Sequence, residues 1–410
     1  MIRKHPQYTF TLFSYVYFHK IENKSFILYN TKTGESIENK SEIYCSFISR
    51  IYDPVNLGII YLNQDDLRDN ETCSFINEVI SKNMGRLTEK IDNNEKLINL
   101  LPTLNLQSDI DKLKENDEFS IGENLLNYLN ELNIYINNSC DSNCTHCNTY
   151  YKHAKSCNKS ERKSILDISV VKGLLDSLKY SSLKKINILG GDVFQYPYLE
   201  ELASLLNSYD FEFHIWMNYL NWSKNKGSSL NKIKAIFNLI VSLPLDSISR
   251  KDLQTNIDNS IIHFFVESET QVEEIEKICK KQINYNLVPI YTGINKNFFE
   301  EYIYISKEDI FEGIISHRTI FCNQKLNSNH FGKLYIMPDG RVKANQNEVV
   351  LGNIHHSSIL EMIYIELNEN TAWRKIRSTY PCNKCLYQYL CPPLSNYENI
   401  IGQNNLCHIK

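Results

Sequence analysis

Leu132-Asn-Ile-Tyr-Ile136 runs, after three residues, into Cys140-Asp-Ser-Asn-Cys144-Thr-His-Cys147. The first five residues are a short β-prone run and predict a strand. The next eight place three thiols among Asp141, Ser142, Asn143 and Thr145, which are too polar for a core segment. Three thiolates in one short loop can ligate three irons of a cubane and leave the fourth open to an external ligand. Tetrahedral zinc asks for four protein ligands at paired spacings, so a zinc site here needs His146 or His153 as its fourth. The spacing alone leaves both metals open.

Outward from this loop the chain alternates. Leu132 to Ile136, Lys185 to Leu189, Phe211 to Met217, Leu239 to Leu243, Ile261 to Val266 and Asn286 to Tyr291 are six candidate strands. Amphipathic stretches at Leu166 to Tyr180, Leu199 to Tyr209, Asn231 to Phe237 and Glu269 to Lys281 separate them. Strands alternating with short helices imply βαβ units, a parallel sheet and an α/β class, here a partial (β/α)6 barrel. In such barrels chemistry sits on the loops at the C-terminal ends of the strands, which is where the cysteine loop falls.

Upstream, Phe10 to Phe18 and Lys24 to Tyr29 read as two strands of a hairpin around Ile21-Glu-Asn23, with a turn at Asn30 to Glu35. Helical patterns follow at Glu42 to Ile51 and Leu67 to Lys82, which suits a winged-helix-like α+β unit over residues 1–100. Asp92 to Glu123 is a polar, linker-like stretch; residues 101–130 are taken as the linker, 131–310 as the barrel and 311–410 as a C-terminal unit. In that last unit Lys333 to Ile336, Pro338-Asp-Gly340 and Arg341 to Lys343 predict a second hairpin.

The length of 410 residues fits two to three domains. A net charge of 44 − 48 = −4 gives neither a basic nucleic-acid surface nor an acidic tail. No apolar run reaches the roughly 18 residues of a membrane span, and the N-terminal aromatic run lacks a cleavage site, so a soluble, cytoplasmic chain is expected. Twelve cysteines in such a chain point to metal ligation rather than a disulfide framework, because seven of them are clustered. Cys382-Asn-Lys-Cys385-Leu-Tyr-Gln-Tyr-Leu-Cys391, with Cys407 sixteen positions on, can close a four-thiolate site; spacing alone allows an iron-sulfur cluster or a zinc ribbon. Cys45, Cys73 and Cys279 sit in helical patterns as small core residues, whereas Cys157 is near enough to the first loop to share its role. Adjacent His355 and His356 read as a polar loop.

The CxxxCxxC loop resembles the cluster motif of radical S-adenosylmethionine enzymes, in which the cofactor's amino and carboxylate groups chelate the open iron. His146 fits the aromatic position before the third cysteine. Asn187-Ile-Leu-Gly190-Gly191-Asp192, at the end of the second strand, is similar to that family's GGE motif, with Asp192 in place of Glu. Gly190, Gly191 and Asp192 are then expected at the cofactor's amino group, with Asn218 at the end of the third strand as a further contact. The C-terminal cysteines resemble a SPASM domain: Cys382, Cys385, Cys391 and Cys407 match the outer auxiliary cluster, while the inner cluster's positions fall at Ser395 and Asn345 with only Cys322 left over. One auxiliary [4Fe-4S] cluster is therefore expected beside the catalytic one.

The Cys391-Pro-Pro-Leu-Ser-Asn-Tyr-Glu398 run and the terminal Asn405-Leu-Cys407 look most like the peptide maturases of grasp-with-spasm systems. That resemblance implies an enzyme that modifies a ribosomally made precursor peptide through a 5'-deoxyadenosyl radical. It also implies an external electron donor, an ATP-grasp ligase as partner, and a leader peptide that adds a strand to the N-terminal hairpin edge. A sister group that lacks the three first cysteines is regarded as pseudo-enzymatic; this chain keeps them. The rival reading is a metal-containing scaffold that binds the precursor for a partner ligase.

Overall fold

A computed structural model describes residues 8–22, 24–89, 122–142, 144, 147–244, 259–279 and 284–409. The expected linker lies mostly outside the described residues. None of the described helices is long and apolar enough to cross a membrane.

The six expected strands form, each within three residues of its expected ends: β7 (Glu131–Tyr135), β8 (Lys185–Leu189), β9 (Glu212–Asn218), β10 (Ile236–Ser242), β11 (Ser260–Val266) and β12 (Tyr285–Pro289). They lie in chain order, all parallel, in one nine-stranded sheet. Alternate side chains divide the two faces, as strand geometry requires. Ile134, Ile188, Ile215, Leu239 and Phe264 are fully buried in one core with the helices Ile168–Leu178, Leu199–Asn207 and Glu269–Ile278. At roughly 1.5 to 3 kcal/mol for each large apolar side chain removed from water, this face holds the layers together. The expected helix Asn231 to Phe237 is absent. Its first residues form a short 3-10 turn (Ser229–Lys232), and Ile236 already pairs with His214 of β9.

The opposite face is lined by amides and rings. Asn187 Nδ2 donates to Asn133 Oδ1 at 2.9 Å, Trp216 Nε1 donates to Asn187 Oδ1 at 2.8 Å, and the His263 ring meets Asn238 Oδ1 at 3.0 Å. Buried polar groups are tolerated when paired in this way. Lys155 reaches into the same layer, 2.7 Å from Glu131 and over the Trp216 ring, and burial pulls its ammonium down to about 8.

The C-terminal hairpin forms where expected, as β13 (Lys333–Ile336) and β14 (Arg341–Lys343), closed by a turn in which Gly340 takes a positive φ of 84°. What the sequence does not announce is its destination: β13 pairs parallel to β7, and β14 and β15 (Gly352–Asn353) extend the large sheet beyond it.

At the N-terminus the expected Phe10 to Phe18 strand is two. β1 (Tyr8–Leu12) lies between β5 (Ile60–Leu62) and β6 (Gly85–Glu89), while β2 (Val16–Ile21), β3 (Ser25–Asn30) and β4 (Ser36–Asn39) form a separate sheet. The break has a partner at each step: Phe13 N–H donates to Met84 O at 2.9 Å, and Val16 N–H turns back to Phe13 O at 3.0 Å. The Glu42–Ile51 helix forms as expected, but the second helical stretch divides into Gln64–Arg68 and Asn70–Ser81. Asp69, extended between them, caps the latter by accepting from Thr72 N–H at 3.1 Å.

The β2–β4 sheet buries both faces. One faces the N-terminal core of Phe26, Leu28, Ile48 and Phe75; the other, through Tyr17, Ile27 and Tyr29, meets Ile310, Ile320, Tyr387 and Leu390. Tyr29 Oη accepts from Ile315 N–H at 2.8 Å, and Glu38 meets both Lys307 (2.9 Å) and Tyr387 (2.7 Å).

Two buried histidines make stability pH-dependent. Burial lowers both His263 and His330 to about 4. A histidine depressed below its unfolded value of about 6.5 favours the neutral form in the folded state, so the unfolded chain binds more protons between pH 6.5 and 4. Stability is therefore expected to be full above pH 6.5 and to fall steadily toward pH 4. Urea midpoints measured at pH 7.5, 6 and 5 check this, and a flat profile would contradict the burial of both rings.

Candidate functional site

The chain leaves β7 and enters the cysteine loop at the C-terminal end of the sheet. Cys140, Cys144 and Cys147 line one pocket with Asn218, Asn221 and Cys157. Ser142 N–H points at Cys140 Sγ at 3.4 Å, with Asn221 Nδ2 at 4.0 Å, and Cys147 opens the helix Cys147–His153. Burial and the neighbouring thiols push Cys144 and Cys147 up, and Lys159, whose ammonium donates to Ser142 O at 3.0 Å, acts against this on both. Burial and the same three thiols push Cys157 far up.

His146 lies outside the described residues. His153 is placed away from metal ligation: its Nδ1 meets Thr149 O and its Nε2 accepts Tyr291 N–H, each at 3.0 Å, so both ring nitrogens are engaged. Among the described residues no three His, Cys, Asp or Glu side chains converge on one ion. The three thiols that line one pocket are donors of the kind that could take up three irons of a cubane.

Gly190, Gly191 and Asp192 lie against the chain just before Cys140. Gly191 N–H donates to Asn137 O at 3.0 Å, Asp192 N–H to Ser139 O at 2.6 Å, and Asn137 Nδ2 to Asp192 O at 2.9 Å. A Cβ on Gly190 would stand 2.6 Å from Asn137 Oδ1, and one on Gly191 2.4 Å from Ser139 O. The glycines thus let two backbones touch, which sets the cysteine loop relative to the second strand. Asp192 is 8 % exposed; its Oδ1 accepts Phe194 N–H at 3.1 Å. Burial raises its pKa against the pull of that hydrogen bond. Asn218 caps the helix Tyr219–Lys224 through Leu220 N–H at 2.8 Å while lining the cysteine pocket.

Asn221 and Lys159 belong to no motif of the sequence. A signal existed for Asn221, which follows Asn218 by three residues and so faces the same way from one helical turn.

The C-terminal cysteines come together from three segments. Cys385 N–H closes on Cys382 O at 3.0 Å, Cys391 N–H on Tyr387 O at 2.9 Å, and Cys407 is held by a bridge between residues 406–408 and Ile305. Burial, with the other thiols adding to it, pushes Cys382, Cys385 and Cys391 up, the last to about 12. Four thiols are enough in number to serve as the ligands of one cluster. The inner-cluster positions hold a hydrogen-bonded knot instead: Asn345 Nδ2 donates to Asn396 Oδ1 at 2.8 Å and faces the His330 ring at 3.0 Å. Ser395 caps the helix Asn396–Ile401 in a reciprocal box with Glu398. Cys322 is half-buried on the helix His317–Lys325.

No protein-family model matches the chain, and no curated protein matches it. Among solved structures, it is similar to Streptococcus suis SuiB bound to precursor peptide SuiA, at 17% identity and a TM-score of 0.45 over 97% of each chain. It is also similar to SuiB bound to S-adenosylmethionine, at 14% identity and a TM-score of 0.42, covering 96% of this chain and 97% of that one.

Proposed function

We propose that the chain is a radical S-adenosylmethionine enzyme that modifies a ribosomally made precursor peptide. The observation that carries the reading is the meeting of Cys140, Cys144 and Cys147 in one pocket at the C-terminal end of six parallel strands, fixed against Gly190-Gly191-Asp192. In this reading the six strands are a partial barrel, residues 1–100 recognise the peptide and residues 311–410 carry the auxiliary cluster. Cys140, Cys144 and Cys147 hold a [4Fe-4S] cluster, and Cys382, Cys385, Cys391 and Cys407 a second. When bound, the first cluster and S-adenosylmethionine together supply the 5'-deoxyadenosyl radical that abstracts hydrogen from the peptide. The protein's part is placement: Asp192 and Asn218 orient the cofactor, the asparagine-lined face of the sheet bounds the reaction space, and an external donor supplies the electron. The leader adds a strand to the outer edge of β2, which pairs on its other side with β3. An ATP-grasp ligase is the partner that acts on the same peptide.

Asp192 offers the test. If its carboxylate accepts a hydrogen bond from the cofactor's ammonium, Asp192→Ala should keep its iron and lose affinity for S-adenosylmethionine. A charge-assisted hydrogen bond of about 1.5 to 3 kcal/mol corresponds to roughly ten-fold to a hundred-fold. Asp192→Glu should retain much of the binding. Calorimetric titration decides it, and wild-type affinity in Asp192→Ala would remove the residue from the cofactor site.

A further inference from the structure

Arg377 is 7 % exposed and carries a charge that no step above uses. Its Nε donates to Pro392 O at 2.6 Å, its Nη2 to Glu398 Oε1 at 2.7 Å and to Pro393 O at 3.5 Å, and its Nη1 points at Cys382 Sγ at 3.9 Å. Glu398 is 6 % exposed, and its other oxygen accepts from Ser395 N–H at 2.9 Å and Ser395 Oγ–H at 2.6 Å. The pair is neutral as a whole but oriented. Its positive end lies on the four-thiol group, beside Cys382 and within electrostatic reach of Cys391, and its negative end lies at the start of the helix Asn396–Ile401. A buried ion pair is costly to desolvate and is weak evidence for stability on its own. Its orientation toward sulfur is what calls for a role.

We propose that Arg377 sets the reduction potential of the auxiliary cluster, raising it so that this centre accepts an electron more readily. The proposal rests on the reading that Cys382, Cys385, Cys391 and Cys407 hold iron. The step is a one-electron reduction in which no bond is made or broken, with dithionite as the donor in the test and the peptide radical as the donor in turnover. Charge near a cluster and hydrogen bonds to its sulfurs are among the terms that fix its potential. A cation that faces the thiolates stabilises the more negative, reduced state.

The experiment is a redox titration followed by electron paramagnetic resonance, in a chain carrying Cys140→Ala, Cys144→Ala and Cys147→Ala so that only the auxiliary centre reports. Glu398→Gln leaves the guanidinium uncompensated and should raise the midpoint. Arg377→Gln combined with Glu398→Gln removes both charges and should lower it. Arg377→Lys keeps the charge and should stay near the parent. Each shift is expected to change the ratio of oxidised to reduced cluster at fixed potential by about ten-fold, which is 59 mV for one electron. Midpoints unmoved in the first two variants, with iron retained, would overturn the proposal, as would an Arg377→Lys shift as large as that of the double variant. Should the double variant fail to hold iron, Glu398→Gln decides alone, and an unmoved midpoint there overturns the proposal. A parent chain that holds zinc or no iron would instead overturn the ligand assignment on which the proposal stands.

Discussion

Replacing Cys140, Cys144 and Cys147 together with Ala is expected to halve the iron of the anaerobically reconstituted protein, from about eight to about four atoms, and to abolish cleavage of S-adenosylmethionine. The two sets of thiols are built from separate stretches of chain, with Cys140 to Cys147 at the end of β7 and the other four among residues 382–407. Loss of one set should therefore leave the other loaded. The remaining signal should be that of the auxiliary cluster alone. About twelve irons in the parent would require a third cluster, which the Asn345, His330 and Asn396 knot leaves without ligands at the inner position. Tightly bound zinc in place of iron would favour the scaffold reading.

The second large effect is expected at Gly191. A Cβ there would lie 2.4 Å from Ser139 O and 2.8 Å from Asn138 C, so the backbone entering the cysteine loop has to move. Overpacking of this kind costs about 1 to 3 kcal/mol. Here the displaced segment ends at Cys140, so Gly191→Ala should lose the first cluster's iron and measurable cofactor binding while keeping the auxiliary cluster. Gly173 is the control: it lies in the helix Ile168–Leu178, and a Cβ added to it would meet nothing within 4 Å. Gly173→Ala should leave iron and binding unchanged and add about 0.5 to 1 kcal/mol of stability. Iron assay, calorimetry and thermal melts on the two variants check this, and full iron in Gly191→Ala would show that the loop tolerates the shift.

The six strands are legible because each is a short β-prone run between turn signals, and the two cysteine groups because their spacing survives in one dimension. The places where reading fails are places where distant chain decides. Phe10 to Phe18 is uniformly β-prone, but its two halves belong to different sheets because Met84 captures Phe13. Ile60–Leu62 is too short to stand out and forms only beside Tyr8–Leu12. Nothing local to Lys333–Ile336 says that it will pair with Glu131–Tyr135. Within the site, Arg377, Lys159 and Asn221 are single polar residues whose meaning comes from the sulfur each meets or lies beside in the fold. Gly190 and Gly191 point toward a cofactor in the sequence, and the structure gives them a second task against Asn137 and Ser139. The contact of Tyr17, Ile27 and Tyr29 with Tyr387 and Leu390 also changes how peptide recognition should be tested. Removing residues 1–100 would uncover that apolar surface, so probes placed on the β2 edge of the intact chain are the better choice.

Incubating the reconstituted, dithionite-reduced protein with S-adenosylmethionine under strict anaerobiosis and quantifying 5'-deoxyadenosine and methionine by chromatography separates the enzyme from the scaffold. Both should form in equal amounts, in the absence of any peptide, and neither should form when Cys140, Cys144 and Cys147 are Ala. A fully loaded, reduced protein that releases no 5'-deoxyadenosine would contradict the enzyme reading.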